Sequence, residues 1–226
     1  MDLTFIEPWI PLILEAALLT IGLSLAALLG AAVIGLVIAV LRTLGGRLVN
    51  VPLIILVDFI RGTPLLVQML IWYLVPSKLG IVSLDPLAAA LVALWVNGGA
   101  FVSEIIRGGL RAVPRGQREA ALAIGLGRVF SLRTIELPQA MPVIIPAAVS
   151  FYIGLIKDTS IAYIVGFHEL MRTSQLVAQR EPNHAMELYL VAAAIYFVIC
   201  FPLSRVALRL EGRMKRSGMV QERLAI

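Results

Sequence analysis

The sequence predicts an all-α, polytopic membrane protein of about five transmembrane helices, on three observations. Hydrophobic residues make up 60% of the 226-residue chain and charged residues only 15%, against roughly 25% in a soluble domain. The apolar residues gather into runs long enough to cross a bilayer. The basic residues gather in the connections, mostly on one side. No room is left for a large soluble core, and residues 1–226 read as a single transmembrane domain.

The spans are expected at residues 12–41, 51–75, 86–106, 141–156 and 188–208. The first follows Met1-Asp2-Leu3-Thr4-Phe5-Ile6-Glu7, acidic where a cleavable signal peptide is basic, so no such signal is expected. In the second, Arg61-Gly62-Thr63-Pro64 interrupts the apolar run. Ala27, Ala31 and Gly35 in the first span recur every four residues, as do Ala89 and Ala93 in the third. Such faces let helix backbones approach closely in lipid, either within the bundle or at a subunit interface. The fourth span carries Pro138, Pro142 and Pro146 along one face. Each internal proline removes a donor and crowds the turn before it, which makes either a packing kink or a broken helix at a substrate site. Residues 158–180 are too polar for an ordinary span. They are expected as a re-entrant or outer-interface helix, capped by Asp158, Thr159 or Ser160.

Charge sets the expected orientation. Arg42, Arg47 and Arg61 flank the first connection. Arg107, Arg111, Arg115, Arg118, Arg128 and Arg133 fill the loop after the third span. Arg205, Arg209, Arg213, Lys215, Arg216 and Arg223 crowd the C-terminus. These are 15 of the 19 Lys and Arg. The positive-inside rule makes that side cytoplasmic, with the N-terminus outside and the C-terminus, a tail over 209–226, inside. The basic excess thus reports topology and implies no nucleic-acid partner.

The connection over residues 111–138 carries the most specific signal. Glu119-Ala120-Ala121 is followed after three residues by Gly125, and after nine more by Ile135-Glu136-Leu137-Pro138. Glu119 is expected in the first turn of a short helix, where its charge suits the helix dipole. The alanines favour helix with little bulk. Gly125 and Gly127 end it, and Leu137-Pro138 return the chain to the membrane. A solvated amphipathic connector is the plain alternative. The pattern E-A-A-x3-G-x9-I-x-L-P resembles the cytoplasmic loop of permease subunits in binding-protein-dependent ATP-binding-cassette importers. Arg61-Gly62-Thr63-Pro64-Leu65-Leu66-Val67-Gln68, Ser103-Glu104-Ile105-Ile106-Arg107-Gly108-Gly109 and Lys157-Asp158-Thr159-Ser160 look like the branch for polar amino acids (histidine, glutamine, glutamate, arginine, opines). The resemblance covers roughly residues 10–215.

It implies a MetI-like permease architecture in the bacterial inner membrane. It implies that Glu119, Ala120, Ala121, Gly125, Ile135, Leu137 and Pro138 couple the chain to an ATPase. No G-x-x-x-x-G-K-[ST] occurs, so the chain is expected to be no enzyme and to hold no cofactor. ATP and Mg would be bound by a partner ATPase dimer. A second permease subunit, identical or paralogous, a separate solute-binding protein and surrounding lipid complete the implied partners. The implied function is import of polar L-amino acids by alternating access, with the segment from Asp158 to Glu187 resembling glutamate/aspartate-type permeases.

The tentative pathway residues are Lys157, Asp158, Gln68, Asn97, Glu104 and Thr159. Lys157 lies about 28 Å beyond Pro138 on a straight helix, and an intramembrane ionisable group is a functional candidate. It can meet an α-carboxylate, or pair with Asp158 or Glu104. Glu104 and Arg107 are spaced for a structural pair. Gln68 and Asn97 either line the pathway or bond a neighbouring helix. Thr159 and Ser160 read more readily as caps than as ligands. Trp72, Tyr73 and Trp95 either anchor at interfaces or pack inside. His168 and His184 make no persuasive metal site, and Cys200 reads as a small apolar filler. An ion-coupled secondary transporter is the competing reading. It needs coupling acids in mid-span, and Glu104, the one acid read as well inside the hydrophobic region, lies near the end of its span.

Overall fold

The computed structural model describes residues 4–216. Residues 1–3 and 217–226, including Arg223 and most of the expected tail, lie outside the described residues, as do the side chains of Arg213, Lys215 and Arg216. The described chain is helical with no strand. A 3₁₀ turn, Thr4–Trp9, leads into α1, Ile10–Leu44. Then come α2, Arg47–Gly62, α3, Leu65–Lys78, and α4, Pro86–Ala112. Two short helices follow, α5, Arg115–Ala123, and α6, Arg128–Ser131. A π-turn over Leu132–Glu136 joins α6 to α7, Leu137–Asp158. A 3₁₀ stretch, Thr159–Val165, precedes α8, Leu170–Arg180, and α9, Ala185–Arg216.

Four continuous helical stretches are long and apolar enough to span a membrane, and the α2–α3 pair makes a fifth when counted as one. This is a multi-pass membrane protein. The second span is not straight, however: α2 and α3 meet at 103°. Pro64 holds Thr63 extended at φ −104°, ψ 143°, because the residue before proline is barred from helix. The broken carbonyls find a side-chain partner. Gln68 Nε2 donates to Ile60 O at 2.7 Å, to Thr63 Oγ1 at 2.8 Å and to Thr63 O at 3.1 Å. Arg61 therefore belongs to this break and not to the first connection. Its guanidinium lies 5.2 Å from the Phe101 ring, in the interior of α4.

The core is the seam between α1 and α4. Ala27, Ala31, Ala89 and Ala93 are fully buried. A Cβ on Gly30 would fall 2.2 Å from Trp95 Cδ1, and one on Gly99 2.5 Å from Ile34 Cγ2. Trp95 then donates its indole N–H to Ala26 O at 2.8 Å. The small-residue stripes thus serve packing within the chain, and Trp95 is a bundle residue.

Two other expectations change. The prolines do not break the fourth span, since α7 is continuous through Pro142 and Pro146. The irregular backbone falls before Pro138, where Leu137 N donates to Leu132 O, five residues back. The proline ring crowds the carbonyl one turn earlier and widens that turn. Residues 158–160 do not cap the next helix. The helix runs on to Val165, Gly166 stops it in the left-handed region at φ 89°, and Glu169 caps α8 by accepting from Met171 N at 2.8 Å and Arg172 N at 2.7 Å. Thr159 instead donates to Ile156 O, at 2.6 Å.

Candidate functional site

The 111–138 connection stands at the end of the bundle where Leu44, Leu110, Val113, Leu132 and Ile144 cluster. Its helix α5 is closed by a paired turn. Gly125 N donates to Leu122 O at 3.0 Å and Leu126 N to Ala121 O at 3.1 Å. The residue that reverses the chain must be left-handed in this cap, and Gly125 is, at φ 83°. Gly127 keeps an ordinary negative φ and caps α6. Glu119 sits in the second turn of α5, not the first, which is Arg115–Arg118. Pro114 starts the helix at Arg115, earlier than the expectation required.

One ion pair pins α5 to the bundle. Arg118 directs Nε, at 3.0 Å, and Nη2, at 2.9 Å, onto Glu136 Oε2. Ser131 Oγ donates to Glu136 Oε1 at 3.2 Å. Glu136 is 3% exposed, so its charge is held by these donors and would be costly without them. Sequence reading passed over Glu136, because it fills the unspecified position of I-x-L-P. Ala121 is buried beneath α5, while Glu119, Ala120 and Pro138 are exposed and Ile135 and Leu137 partly covered. The loop also exposes apolar side chains that the sequence reading did not single out, on α5, at its end and on α6. Leu122, Ile124, Val129 and Phe130 are 40%, 76%, 64% and 56% exposed.

The pathway candidates divide into separate places. Lys157 lines a cavity of ≈500 Å³ between α7 and α9 with Ser160, Tyr196, Cys200 and Ser204. No ion pair joins it to Asp158 or Glu104 among the described residues. Gln68 and Asn97 meet at the α2–α3 break, Asn97 Nδ2 donating to Gln68 Oε1 at 3.3 Å. Both are thereby engaged in bonding between helices. Glu104 pairs with Arg42 of α1, and Arg107 Nε lies 3.8 Å away. The expected Glu104–Arg107 pair exists, but the nearer partner is 62 residues away in sequence. Asp158 is partly buried beside Lys157 on the helix, and Thr159 is fully buried. At the end opposite the 111–138 connection, His184 stacks on Phe5 with ring centroids 4.0 Å apart.

The fold has counterparts among transporter membrane subunits. The family model for binding-protein-dependent transport system inner membrane components matches residues 31–216, and the chain belongs to that family. It is 38% identical over 215 residues to a glutamine transport system permease protein of Escherichia coli (strain K12), covering 95% of this chain and 98% of the relative. It is 39% identical over 198 residues to an L-cystine transport system permease protein of Bacillus subtilis (strain 168), covering 87% and 84%. The crystal structure of an amino acid ABC transporter with histidines superposes with a TM-score of 0.85 at 31% identity, over 94% of this chain and 99% of that one. An inward-facing methionine ABC transporter shares the fold, with a TM-score of 0.71 at 22% identity. The chain is the permease component of an amino acid ABC importer, a transport component and not an enzyme.

Proposed function

We propose that this permease carries polar L-amino acids across the bacterial inner membrane by alternating access, driven through α5 by a partner ATPase. The observation that carries the coupling step is a helix both anchored and exposed. Arg118–Glu136 fixes α5 to the spans and the Gly125 cap ends it sharply, while Leu122 and, just beyond the helix, Ile124, Val129 and Phe130 expose apolar side chains. A rigid lever with an adhesive tip transmits a push; a loose connector absorbs it. The basic connections put this end in the cytoplasm, with the N-terminus outside and the C-terminus inside. The ATPase pair there holds ATP and Mg. A second permease subunit, this chain again or a paralogue, and an extracytoplasmic solute-binding protein complete the importer.

Within the membrane, Lys157 receives the substrate carboxylate in its cavity. Asp158, Gln68, Asn97, Glu104 and Thr159 line or shape the route. The resemblance of residues 158–187 places glutamate and aspartate first among substrates to assay, with glutamine next because a 38% identical relative is a glutamine permease. An ion-coupled carrier is not favoured, given the family. The coupling reading is tested by replacing Ile124 with Asp. The variant should lose co-purification with the ATPase at least tenfold while remaining monodisperse and folded. Undiminished ATPase recovery in Ile124→Asp and in Gly125→Val would sink it.

A further inference from the structure

The groove between α2 and α4 holds a charge that lipid cannot cover. Arg61 stands one turn after Val57 on α2, so the two share a face. Val57 is fully buried, which turns that face toward the bundle, while Leu56 and Phe59, 47% and 68% exposed, lie on the opposite side. Arg61 is nonetheless exposed, so it opens into a space beside the bundle and not onto the lipid side. Its depth is fixed by Phe101, whose ring centre lies 5.2 Å from the guanidinium. Phe101 stands well inside α4, about 22 and 16 Å from its two ends at 1.5 Å per residue. That helix is one of those long and apolar enough to span a membrane.

No acid neutralises it. Among the described residues, Arg61 forms no ion pair with a carboxylate, and its N–H groups make no side-chain hydrogen bond. Asp58, one turn back, exerts its charge on Arg107, and Glu104 is taken by Arg42 and Arg107. An intramembrane arginine faces the bundle interior or a water-filled cavity almost always, and marks a substrate path. A contact with phenylalanine alone is too weak to hold a charge in lipid. The free N–H groups form a planar fork, which a carboxylate matches with two parallel bonds. The groove is polar on either side of Arg61. Asn97, Phe101, Glu104 and Gly108 follow one face of α4, and Asn97 meets Gln68 at the helix break. A Cβ added at Gly62 or Gly108 would meet nothing within 4 Å, so there is open space beside both helices.

We propose that Arg61 contacts the substrate on the translocation route, its guanidinium receiving the carboxylate of the amino acid as it passes the α2–α4 groove. This rests on the amino-acid importer reading, and adds a carboxylate contact apart from Lys157, whose cavity lies between α7 and α9. The first arm of the test reads water and needs neither ATP nor substrate. In native membrane vesicles of a Cys200→Ala background, the membrane-impermeant anionic thiol reagent sulfonatoethyl methanethiosulfonate is added, and the mass shift of this chain is followed. Arg61→Cys should react about tenfold or more faster than Phe59→Cys on the lipid side, because only a thiol in water ionises and reacts. Phe101→Cys keeps the arginine and reads the same groove, so it decides the matter where Arg61→Cys fails to fold. The second arm is glutamine and glutamate uptake by the assembled importer. Arg61→Gln should lower kcat/KM about thirtyfold and Arg61→Lys about threefold, mainly through KM, since lysine keeps the charge and loses only the fork. Reaction at positions 61 and 101 no faster than at 59 would overturn the proposal, and so would undiminished uptake by Arg61→Gln. A wild type that carries neither amino acid would count against the importer's substrate class, and the labelling would then decide the route by itself.

Discussion

The α1–α4 seam and the α7–α9 pair are built on opposite principles. Along the seam, glycine and alanine bring two backbones so close that a single added methyl collides with Trp95 or Ile34. Between α7 and α9, Phe197, Phe201 and Tyr196 stand around a ≈500 Å³ cavity that Lys157 enters. Close-packed backbones have one arrangement and resist sliding, whereas large side chains around a void can repack. In the proposed alternating-access cycle, the seam serves as the frame and α9, with the cavity beside it, as the part that shifts against α7.

That division can be broken in three ways, the first by removing the charge in the mobile half. Lys157→Met should abolish uptake, by at least 100-fold in proteoliposomes of the assembled transporter, with assembly intact by size-exclusion chromatography. Normal uptake would remove Lys157 from the pathway.

A smaller effect is expected on stability, and it should differ between the two regions. Gly30→Val on the seam should cost about 3 kcal/mol or more, since overpacking there has no free space. Ala193→Val, on the cavity wall, should cost less than about 1 kcal/mol. Thermal unfolding in detergent measures both, and equal losses would erase the distinction.

The smallest effect concerns the tie that holds α9 to α8 and α1. Glu169 is fully buried, and accepts from the α8 amides and from Tyr196 Oη at 2.9 Å. Leu170 N next to it donates to Thr20 of α1 at 3.0 Å. Burial pushes its carboxyl up from 4.5 to about 7, with the hydrogen bonds pulling partly back. Between those two values the folded chain keeps a proton that the unfolded chain has lost. Stability from this group is therefore full below about pH 4.5 and declines as pH rises to about 7. Glu169→Gln should flatten that decline in unfolding scans between pH 5 and 8, and an unchanged slope would show that Glu169 is not its source.

Some of this was legible beforehand because it is written locally. Span positions follow from runs of apolar residues, and the structure extends most of them by only a few residues at each end. The helix break at Thr63-Pro64 follows from one proline, and the α5 cap from one glycine. The α8 cap was misread for a local reason as well: Ser, Thr and Asp are preferred caps, and Glu169 outdid Asp158, Thr159 and Ser160 because Gly166, not those residues, ended the preceding helix.

What the sequence determined by itself was the membrane class, the approximate spans and the loop motif that ties the chain to its family, since each rests on neighbours in the chain. Only the tertiary structure decided that Arg42 meets Glu104 across 62 residues, that Arg118 meets Glu136 across 18, and that Gln68 takes Asn97. It also decided that four arginines from three elements, α1, α4 and α5, share one cavity. Such pairings depend on which helix faces turn toward each other. That is settled by backbone approach and side-chain packing between elements, and no spacing along a single helix encodes it.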